Sequence, residues 1–270
     1  MIRKIAQRLF PGFAAWYRQR RDQRMFAAQR MRPTALGFDF IGVAGMPESR
    51  TASGEVTLLR SLLRGQDLFV DVGANCGLYT LLACQAGVPT LAVEPNDLNF
   101  RRLAENLQHN RFAQAKALNV ALGDQQGKCL LYGGGEGASL LKNWGGMAST
   151  YAREVEVETL DGLLGGRATS ERVLIKVDVE GHELAVLAGA RQLLARAAAP
   201  CWIIEHSFRE NQDGLINPSY LKLFEVFWTA GYACETFDLE RRPVLRTDVE
   251  RWLATGVRDF GGINLLFRKP

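Results

Sequence analysis

The chain has 270 residues, of which 47% are hydrophobic and 23% charged, a composition typical of one globular domain of generous size. Its five cysteines form no C-x-x-C pair, which argues against a disulfide framework or a zinc site and indicates a reducing compartment. The net charge of +4 comes from the first 32 residues, which hold nine basic side chains against one acid, so it does not indicate nucleic-acid binding. No apolar run reaches the ~20 residues that span a bilayer, so we expect a cytoplasmic protein without a nucleic-acid partner.

The N-terminal arm is basic and aromatic. Residues 1–32 are predicted to be helical, with a break near Pro11 and Gly12, and their apolar side chains are interleaved with arginines. Such a helix can lie on an anionic membrane surface, or it can dock on its own domain through the apolar stripe, and both interpretations stay open. We predict an arm over residues 1–50 and one domain over residues 51–270, with peripheral membrane contact of the arm as a hypothesis. No pattern in the sequence indicates an oligomeric state.

From about residue 55 the chain alternates strand and helix patterns. The amphipathic or capped segments predict helices over 55–64, 77–86, 97–109, 182–196 and 218–230. The apolar or alternating runs predict strands over 67–71, 90–94, 116–122, 154–158, 173–177, 202–205, 232–237 and 263–268. Strands that alternate with helices of this length predict βαβ units, and therefore a doubly wound α/β fold with a mostly parallel sheet.

The first strand ends in a glycine-containing bend, Asp71-Val-Gly-Ala-Asn-Cys-Gly77. Glycine at position 73 suits a tight turn, because positive φ costs little without a Cβ. A dinucleotide motif has a glycine where Asn75 stands, so that a pyrophosphate can approach the helix N-terminus. The acid Asp71 suits instead a cationic cofactor without phosphate, such as the amino acid end of S-adenosylmethionine. The alternative is a glycine turn that binds nothing.

Two further acids follow the next strands. Glu94 ends the second strand, where a carboxylate can accept hydrogen bonds from both ribose hydroxyls of an adenosine ligand. Asp124 follows the third strand and can present a carboxylate to an adenine amino group. A nicotinamide dinucleotide would use an acid at position 94 in the same way, so these residues indicate adenosine without selecting the cofactor.

Six segments that occur in a fixed order together resemble the FkbM-type methyltransferases: residues 71–77, 94–96, 119–124, 159–161, 175–183 and 204–207. The resemblance extends over roughly residues 55–210 and loosely to the last strand. It implies a Rossmann-like fold of seven strands with the last one antiparallel, S-adenosylmethionine as cofactor, and O-methylation of a sugar hydroxyl or a natural product. By position, it assigns Asp71, Gly73, Asn75 and Gly77 to the methionine moiety, Glu94 to the ribose and Asp124 to the adenine.

Acidic and histidine side chains follow the fourth and fifth strands of the β/α series: Asp178, Glu180, His182, Glu205 and His206. Methylation of an alcohol needs a base within hydrogen-bond reach of the hydroxyl. Our hypothesis is that Asp178 lies closest to the reaction centre and that His182 or His206 assists as base. The spacing matches no metal template, so no metal site is predicted, although the same groups could ligate a divalent cation.

The sequence therefore predicts an S-adenosylmethionine-dependent O-methyltransferase with a small-molecule or glycan acceptor. Two other classes remain open. One is a nicotinamide-dependent oxidoreductase on the same fold class, against which the missing glycine at Asn75 counts. The other is a non-catalytic adenosine-binding or membrane-associated scaffold.

Overall fold

The computed structural model describes residues 20–21, 23–24, 26–134, 137–142, 144, 152–165, 171–210 and 214–270, so most of the predicted helical arm lies outside the described residues. The strands are β1 Arg32–Pro33, β2 Asp39–Phe40, β3 Leu68–Val72, β4 Thr90–Val93, β5 Ala115–Leu118, β6 Ala121–Leu122, β7 Gly127–Tyr132, β8 Ala152–Glu158, β9 Val173–Val177, β10 Cys201–Glu205, β11 Ala233–Thr236, β12 Pro243–Val244 and β13 Asn264–Arg268. The helices are α1 Met46–Ala52, α2 Glu55–Leu63, α3 Leu78–Gln85, α4 Asp97–His109, α5 Leu160–Leu164, α6 Glu183–Ala188, α7 Arg191–Ala195, α8 Tyr220–Thr229 and α9 Arg246–Thr255.

The main sheet has the strand order β12-β11-β13-β10-β9-β3-β4-β5. The five strands from β10 to β5 are parallel, whereas β13 runs antiparallel to both β10 and β11. This confirms the predicted doubly wound, mostly parallel α/β fold and the antiparallel last strand. The sheet has eight strands rather than the seven expected, because the two residues of β12 extend one edge.

The predicted third strand divides into two strands that belong to different sheets. β5 pairs with β4, but β6 pairs with β8 in a separate sheet of order β6-β8-β7. The break falls at Asn119, whose side-chain amide donates a hydrogen bond of 2.9 Å to the Glu94 carbonyl oxygen. The small sheet is thereby placed next to the carboxyl ends of the main strands.

The helix predicted over 182–196 is also divided, into α6 and α7. Gly189 ends α6 and packs against the backbone of Gly123, where a Cβ would lie 2.1 Å from the carbonyl oxygen. The close approach of these two backbones interrupts the helix, which an amphipathic pattern alone does not reveal.

The apolar side chains of the main sheet form two core clusters, one on each face. Along β3, Leu68, Val70 and Val72 join one cluster while Phe69 joins the other, as alternation in a strand requires. Parallel sheets covered by helices on both faces bury their strands completely, and all five residues of β3 are buried.

Part of the segment assigned to the arm packs into the core. Leu36, Phe38 and Phe40 are at most 6% exposed and belong to the cluster that contains Phe69. The Asn106 side chain of α4 bonds both the N–H and the C=O of Ile41, at 2.8 and 2.9 Å. We propose that the domain begins before residue 36, rather than at residue 51.

The described end of the arm also contacts α4. The Arg102 guanidinium lies 3.7 Å from the centre of the Phe26 ring and donates a hydrogen bond of 3.1 Å to Gln29. These contacts agree with a docked helix for residues 26–28, and membrane contact of the arm stays a prediction. Within the described ranges, none of the helices combines the length and apolarity needed to cross a bilayer.

Candidate active site

A cavity of about 230 Å³ opens at the carboxyl ends of the parallel strands. The chain builds β3, β4 and β5 outward and then returns to β9 on the other side of β3, so the strand order reverses between β3 and β9. Ligands of open α/β sheets bind at such a switch point. The ends of β3, β4, β9 and β10 line the cavity together with α1 and the small sheet.

The bend after β3 requires glycine at two positions for different reasons. Gly73 lines the cavity with φ +80°, and a Cβ there would lie only 1.8 Å from the Asp178 carbonyl oxygen. Gly77 has φ +91°, and a Cβ there would meet the Leu103 side chain at 2.5 Å. Gly77 does not line the cavity, and the absence of a side chain there lets α3 pack closely on α4. Asn75 lines the wall in the left-handed region with φ +53°, which asparagine tolerates.

Each backbone N–H of the bend already donates to a protein acceptor. Gly73 and Ala74 donate to the Val93 carbonyl at 2.9 and 3.0 Å, and Gly77 donates to the Ala74 carbonyl at 2.8 Å. The Asn75 N–H donates to Glu94 Oε2 at 2.8 Å, and the Cys76 N–H to Asn75 Oδ1 at 2.7 Å. A pyrophosphate cradle needs such donors unoccupied, so the bend suits a cofactor without phosphate.

Glu94 lies on the cavity wall and is 5% exposed. Its Oε2 accepts the Asn75 amide and its Oε1 accepts the Asn96 amide, each at 2.8 Å. The Asn99 side chain also hydrogen-bonds this carboxylate. A carboxylate has about four acceptor sites, so a ribose hydroxyl can still donate to it. Burial raises the pKa of Glu94 to about 7, against the lowering effect of these amide hydrogen bonds.

The pKa of Glu94 predicts that nucleoside binding weakens in mild acid. Hydroxyl donors favour the ionised carboxylate, so a bound ribose lowers this pKa and protonation opposes binding. We expect 5′-methylthioadenosine to bind several-fold, up to about tenfold, more tightly at about pH 8 than at about pH 6. Calorimetric titration measures this, and Glu94→Gln should bind weakly with little pH dependence. The same pH dependence in the variant would exclude Glu94 as its source.

Two other predicted cofactor residues lie off the cavity wall. Asp71 is 1% exposed and accepts a hydrogen bond of 2.6 Å from Thr80 Oγ1. Burial raises its pKa, which the nearby Lys176 and this hydrogen bond oppose. Asp124 is exposed, and its assignment to adenine stays a prediction. In this geometry Asp71 lies near Lys176 rather than on the wall, and its assignment to the methionine moiety stays a prediction.

Three of the five predicted catalytic residues line one part of the cavity: Asp178, Glu180 and Glu205. They stand at the ends of the neighbouring strands β9 and β10, and one oxygen of each lies within 4.8 Å of the other two. That separation lets them share a cation. β9 ends at Val177, so Asp178 and Glu180 meet through the turn after the strand rather than by strand alternation.

Lys176 joins this cluster, although the sequence analysis did not select it. The side chain is 1% exposed, and Nζ lies 2.7 Å from Asp178 Oδ2 and 4.5 Å from the centre of the Tyr79 ring. Burial opposes its charge, but Asp178, Asp71 and Glu205 outweigh that effect and raise the pKa of Lys176. A lysine inside an apolar strand is the signal that could have found it, since buried lysines are almost always paired.

Glu180 is held in an unusual conformation by the segment that follows β7. It has φ +52°, rare for a residue other than glycine. Ser139 Oγ donates to its carbonyl oxygen at 2.7 Å, and Trp144 Nε1 donates to its Oε2 at 2.8 Å. The Trp144 ring covers Gly181, where a Cβ would lie 2.5 Å from it. Burial, with the charge of Asp178, raises the pKa of Glu180 to about 7.

Glu205 faces a second cation that the sequence analysis missed, Arg50 of α1. Arg50 Nη2 lies 3.9 Å from Glu205 Oε2, while its Nη1 donates to both oxygens of Glu55 at 3.0 and 3.2 Å. Burial, together with the charge of Asp178, raises the pKa of Glu205 well above its usual range. The sequence analysis did not predict Arg50 as a site residue because it lies in the segment assigned to the arm.

The two predicted histidines do not line the cavity. His206 is 2% exposed, stacks on the Tyr220 ring at 5.1 Å between centres, and has Nδ1 3.6 Å from Glu183 Oε2. His182 precedes α6 beside Gly123, and burial lowers its pKa. Among the described residues that line the cavity, the groups suited to accept a proton are carboxylates, and a base role for either histidine stays a prediction.

The wall of the cavity fits S-adenosylmethionine, the cofactor that the resemblance implies. Glu94 offers its oxygens at the β4 end, and the bend between has no amide left to bind a phosphate. The carboxylates at the β9 and β10 ends suit the positive charge of a sulfonium and an ammonium group. The acceptors present are therefore those that the ribose and the positive charges of a cationic adenosine derivative need.

Comparison with known proteins finds several relatives. The chain is similar to the hexuronic acid methyltransferase AglP of Haloferax volcanii, with 30% identity over 150 residues, which are 54% of this chain and 60% of that protein. Among solved structures it is similar to a methyltransferase FkbM of Methylobacillus flagellatus, with 16% identity, a TM-score of 0.46, and 76% of this chain and 44% of that one covered. It is also similar to a SAM-dependent methyltransferase of Agrobacterium tumefaciens, with 11% identity and a TM-score of 0.45. That match covers 88% of this chain and 69% of the other.

The family comparison extends over most of the α/β core. The methyltransferase FkbM domain matches residues 71–234, from the aspartate of the bend to β11, which is more than half of the chain. These residues include the bend, Glu94 and the carboxylates after β9 and β10. The chain therefore belongs to the FkbM methyltransferase family, and S-adenosylmethionine is its cofactor.

Proposed function

We propose that this methyltransferase transfers the methyl group to a hydroxyl oxygen of a sugar or glycan acceptor. The observation that carries the proposal is the position of Asp178, Glu180 and Glu205, which line the same cavity as Gly73 and Glu94. The carboxylates that can take up a proton therefore lie at one end of the cavity. Glu94, which can accept hydrogen bonds from the ribose, lies at the other end. An alcohol needs such a base because it is not ionised at neutral pH.

The chemistry divides simply between the cofactor and the protein. When bound, S-adenosylmethionine supplies a methyl group on a positively charged sulfur, and the acceptor oxygen displaces the neutral thioether. The protein must then orient the hydroxyl and take up its proton, so that one C–O bond forms, one C–S bond breaks and the proton passes to a carboxylate. Charged groups that are already in position lower the free energy of the transition state, because they need not reorganise during the reaction.

Among the three carboxylates, we assign the base role to Glu180. Its pKa of about 7 leaves it largely able to accept a proton near neutral pH, where a base works best. Asp178 is engaged by Lys176 at 2.7 Å, which favours an orienting role. Glu205 already faces the Arg50 guanidinium, and burial together with the charge of Asp178 raises its pKa well above its usual range.

A sugar acceptor is supported by the relative from Haloferax volcanii, whose name states a hexuronic acid substrate. The chain spans only 60% of that protein's length, so the acceptor is carried over as a proposal. The nicotinamide-dependent oxidoreductase finds no support, since the chain belongs to a methyltransferase family.

Transfer of isotope-labelled methyl groups tests the proposal. The protein is incubated with methyl-labelled S-adenosylmethionine and separate carbohydrate, lipid and protein fractions of a cell extract, with heat-inactivated protein as the control. We expect label in the carbohydrate fraction, in a form that survives mild alkali, because alkyl ethers are stable to base. Label that mild alkali releases would place the methyl on a carboxylate, and label confined to protein or lipid without sugar would contradict the proposal. No transfer to any fraction would favour the non-catalytic scaffold.

A further inference from the structure

Arg50 is the cation of the cavity that the mechanism above does not use. It lies on α1, outside the residues matched by the family, and α1 also contributes Met46 to the wall. Among the described residues that line the cavity, the cationic side chains are Arg50 and Lys176. Their surroundings differ in a way that separates their roles.

The ammonium group of Lys176 contacts protein groups, whereas one nitrogen of the Arg50 guanidinium can still bind a ligand. Lys176 is 1% exposed and its ammonium group contacts Asp178 and the Tyr79 ring. The Arg50 side chain is 28% exposed. Its Nη1 is fixed by Glu55, while the contact of Nη2 with Glu205 at 3.9 Å is an ion pair beyond hydrogen-bond distance. The N–H groups of Nη2 can therefore bond an oxygen of a ligand.

The order of the strands determines which part of the cofactor meets Arg50. The sequence β10-β9-β3-β4 places Glu205, Asp178, the bend and Glu94 in a row along the carboxyl edge. With the ribose at Glu94, the rest of the cofactor extends past the bend toward β9 and β10. Its amino acid end, which carries a carboxylate and an ammonium group, then lies beside Arg50.

The bend cannot supply the donors that this carboxylate needs. Its five N–H groups, from Gly73 to Gly77, all donate to protein oxygens. A buried carboxylate without donors costs about several kcal/mol, and a charged donor elsewhere on the wall would offset that cost. The guanidinium group binds carboxylates with directed hydrogen bonds and stays charged at every relevant pH.

We propose that Arg50, fixed by Glu55, binds the α-carboxylate of the cofactor and so forms a site for the methionine end that lies outside the matched family segment. The ammonium group of the same end faces the carboxylates after β9 and β10. Glu55 is itself held from the other side by the Tyr79 hydroxyl, which donates to its Oε2. Helix α1 thereby becomes part of the cofactor site rather than of an arm.

Two ligands that differ in the amino acid end test the proposal without any acceptor. S-adenosylhomocysteine carries the carboxylate, and 5′-methylthioadenosine has the same nucleoside without it. For Arg50→Gln we expect the affinity for S-adenosylhomocysteine to fall about 10- to 100-fold, as for the loss of a charge-assisted hydrogen bond. The affinity for 5′-methylthioadenosine should stay within about twofold of the wild type. Arg246→Gln, which removes a surface arginine paired with Glu225, is the matched control and should change neither affinity.

An equal loss for both ligands, or no loss for either, would overturn the proposal. If Arg50→Gln does not fold, Arg50→Lys keeps the charge beside Glu55 while it loses the planar fork. The ratio of the two affinities is then measured on that variant, and an unchanged ratio overturns the proposal. Because no acceptor takes part, the result is independent of whether the methyl group is transferred to a sugar.

Discussion

Replacement of Glu180 by glutamine is expected to lower the rate of methyl transfer by about 10²- to 10⁴-fold, the usual contribution of a positioned base. Glutamine keeps the size of the side chain, and its carbonyl oxygen can still accept the Trp144 Nε1–H bond, but the amide cannot take up a proton. The affinity for S-adenosylhomocysteine should stay close to that of the wild type. Single-turnover transfer to the fraction labelled in the extract assay measures the rate, and calorimetry measures the affinity.

The pH dependence of the wild type gives a second readout of the same prediction. A base must be unprotonated, so transfer should fall as the pH decreases through about 7, the pKa of Glu180. Glu225→Gln changes a carboxylate on α8 that is paired with Arg246 on the surface and should leave the profile unaltered. A Glu180→Gln enzyme with wild-type turnover would assign the proton to another group, with Glu205 and Asp178 the next candidates on the wall.

Replacement of Gly73 by alanine is expected to destabilise the fold by more than about 3 kcal/mol, or to prevent folding. Two costs combine, since φ +80° is unfavourable for any residue with a Cβ and the new methyl group would lie 1.8 Å from the Asp178 carbonyl oxygen. That carbonyl cannot move easily, because the Asp178 N–H is bonded to the Val72 carbonyl at 2.9 Å between the central strands. Denaturant unfolding measures the loss.

Gly87 provides a matched control for this substitution. It also has φ +80°, but a Cβ there would have no atom within 4 Å. Gly87→Ala should therefore cost only about 1 kcal/mol, the price of the backbone conformation alone. Similar losses in the two variants would mean that the contact between the bend and the turn after β9 does not restrict position 73.

The sequence predicts the fold well because its signals are local. The strand and helix patterns around Leu68–Val72, Thr90–Val93 and Asp97–His109 have the period of their element and clear ends, so their type and order follow directly. The structure departs from these predictions where distant parts of the chain meet. The division of the helix at Gly189 depends on Gly123, and that of the third strand on a bond between Asn119 and the Glu94 carbonyl.

The candidate site follows the same rule. Glu94, Asp178, Glu180 and Glu205 reach the cavity because each stands at the carboxyl end of a parallel strand, which the pattern already places at one edge. His182 and His206 follow Glu180 and Glu205 by one or two residues, where the chain has turned away from the cavity wall. The periodicity of the sequence does not indicate that turn. The contribution of α1 depends on how residues 36–50 pack against the sheet. The local sequence around Arg50 does not indicate this packing.

A crystal structure with S-adenosylhomocysteine bound tests the central claim most directly. We predict that its ribose hydroxyls lie at Glu94 and that its sulfur lies beside the bend and faces Asp178 and Glu180. A ligand bound away from this edge of the sheet, or one in the reverse orientation with its adenine between β9 and β10, would contradict the account.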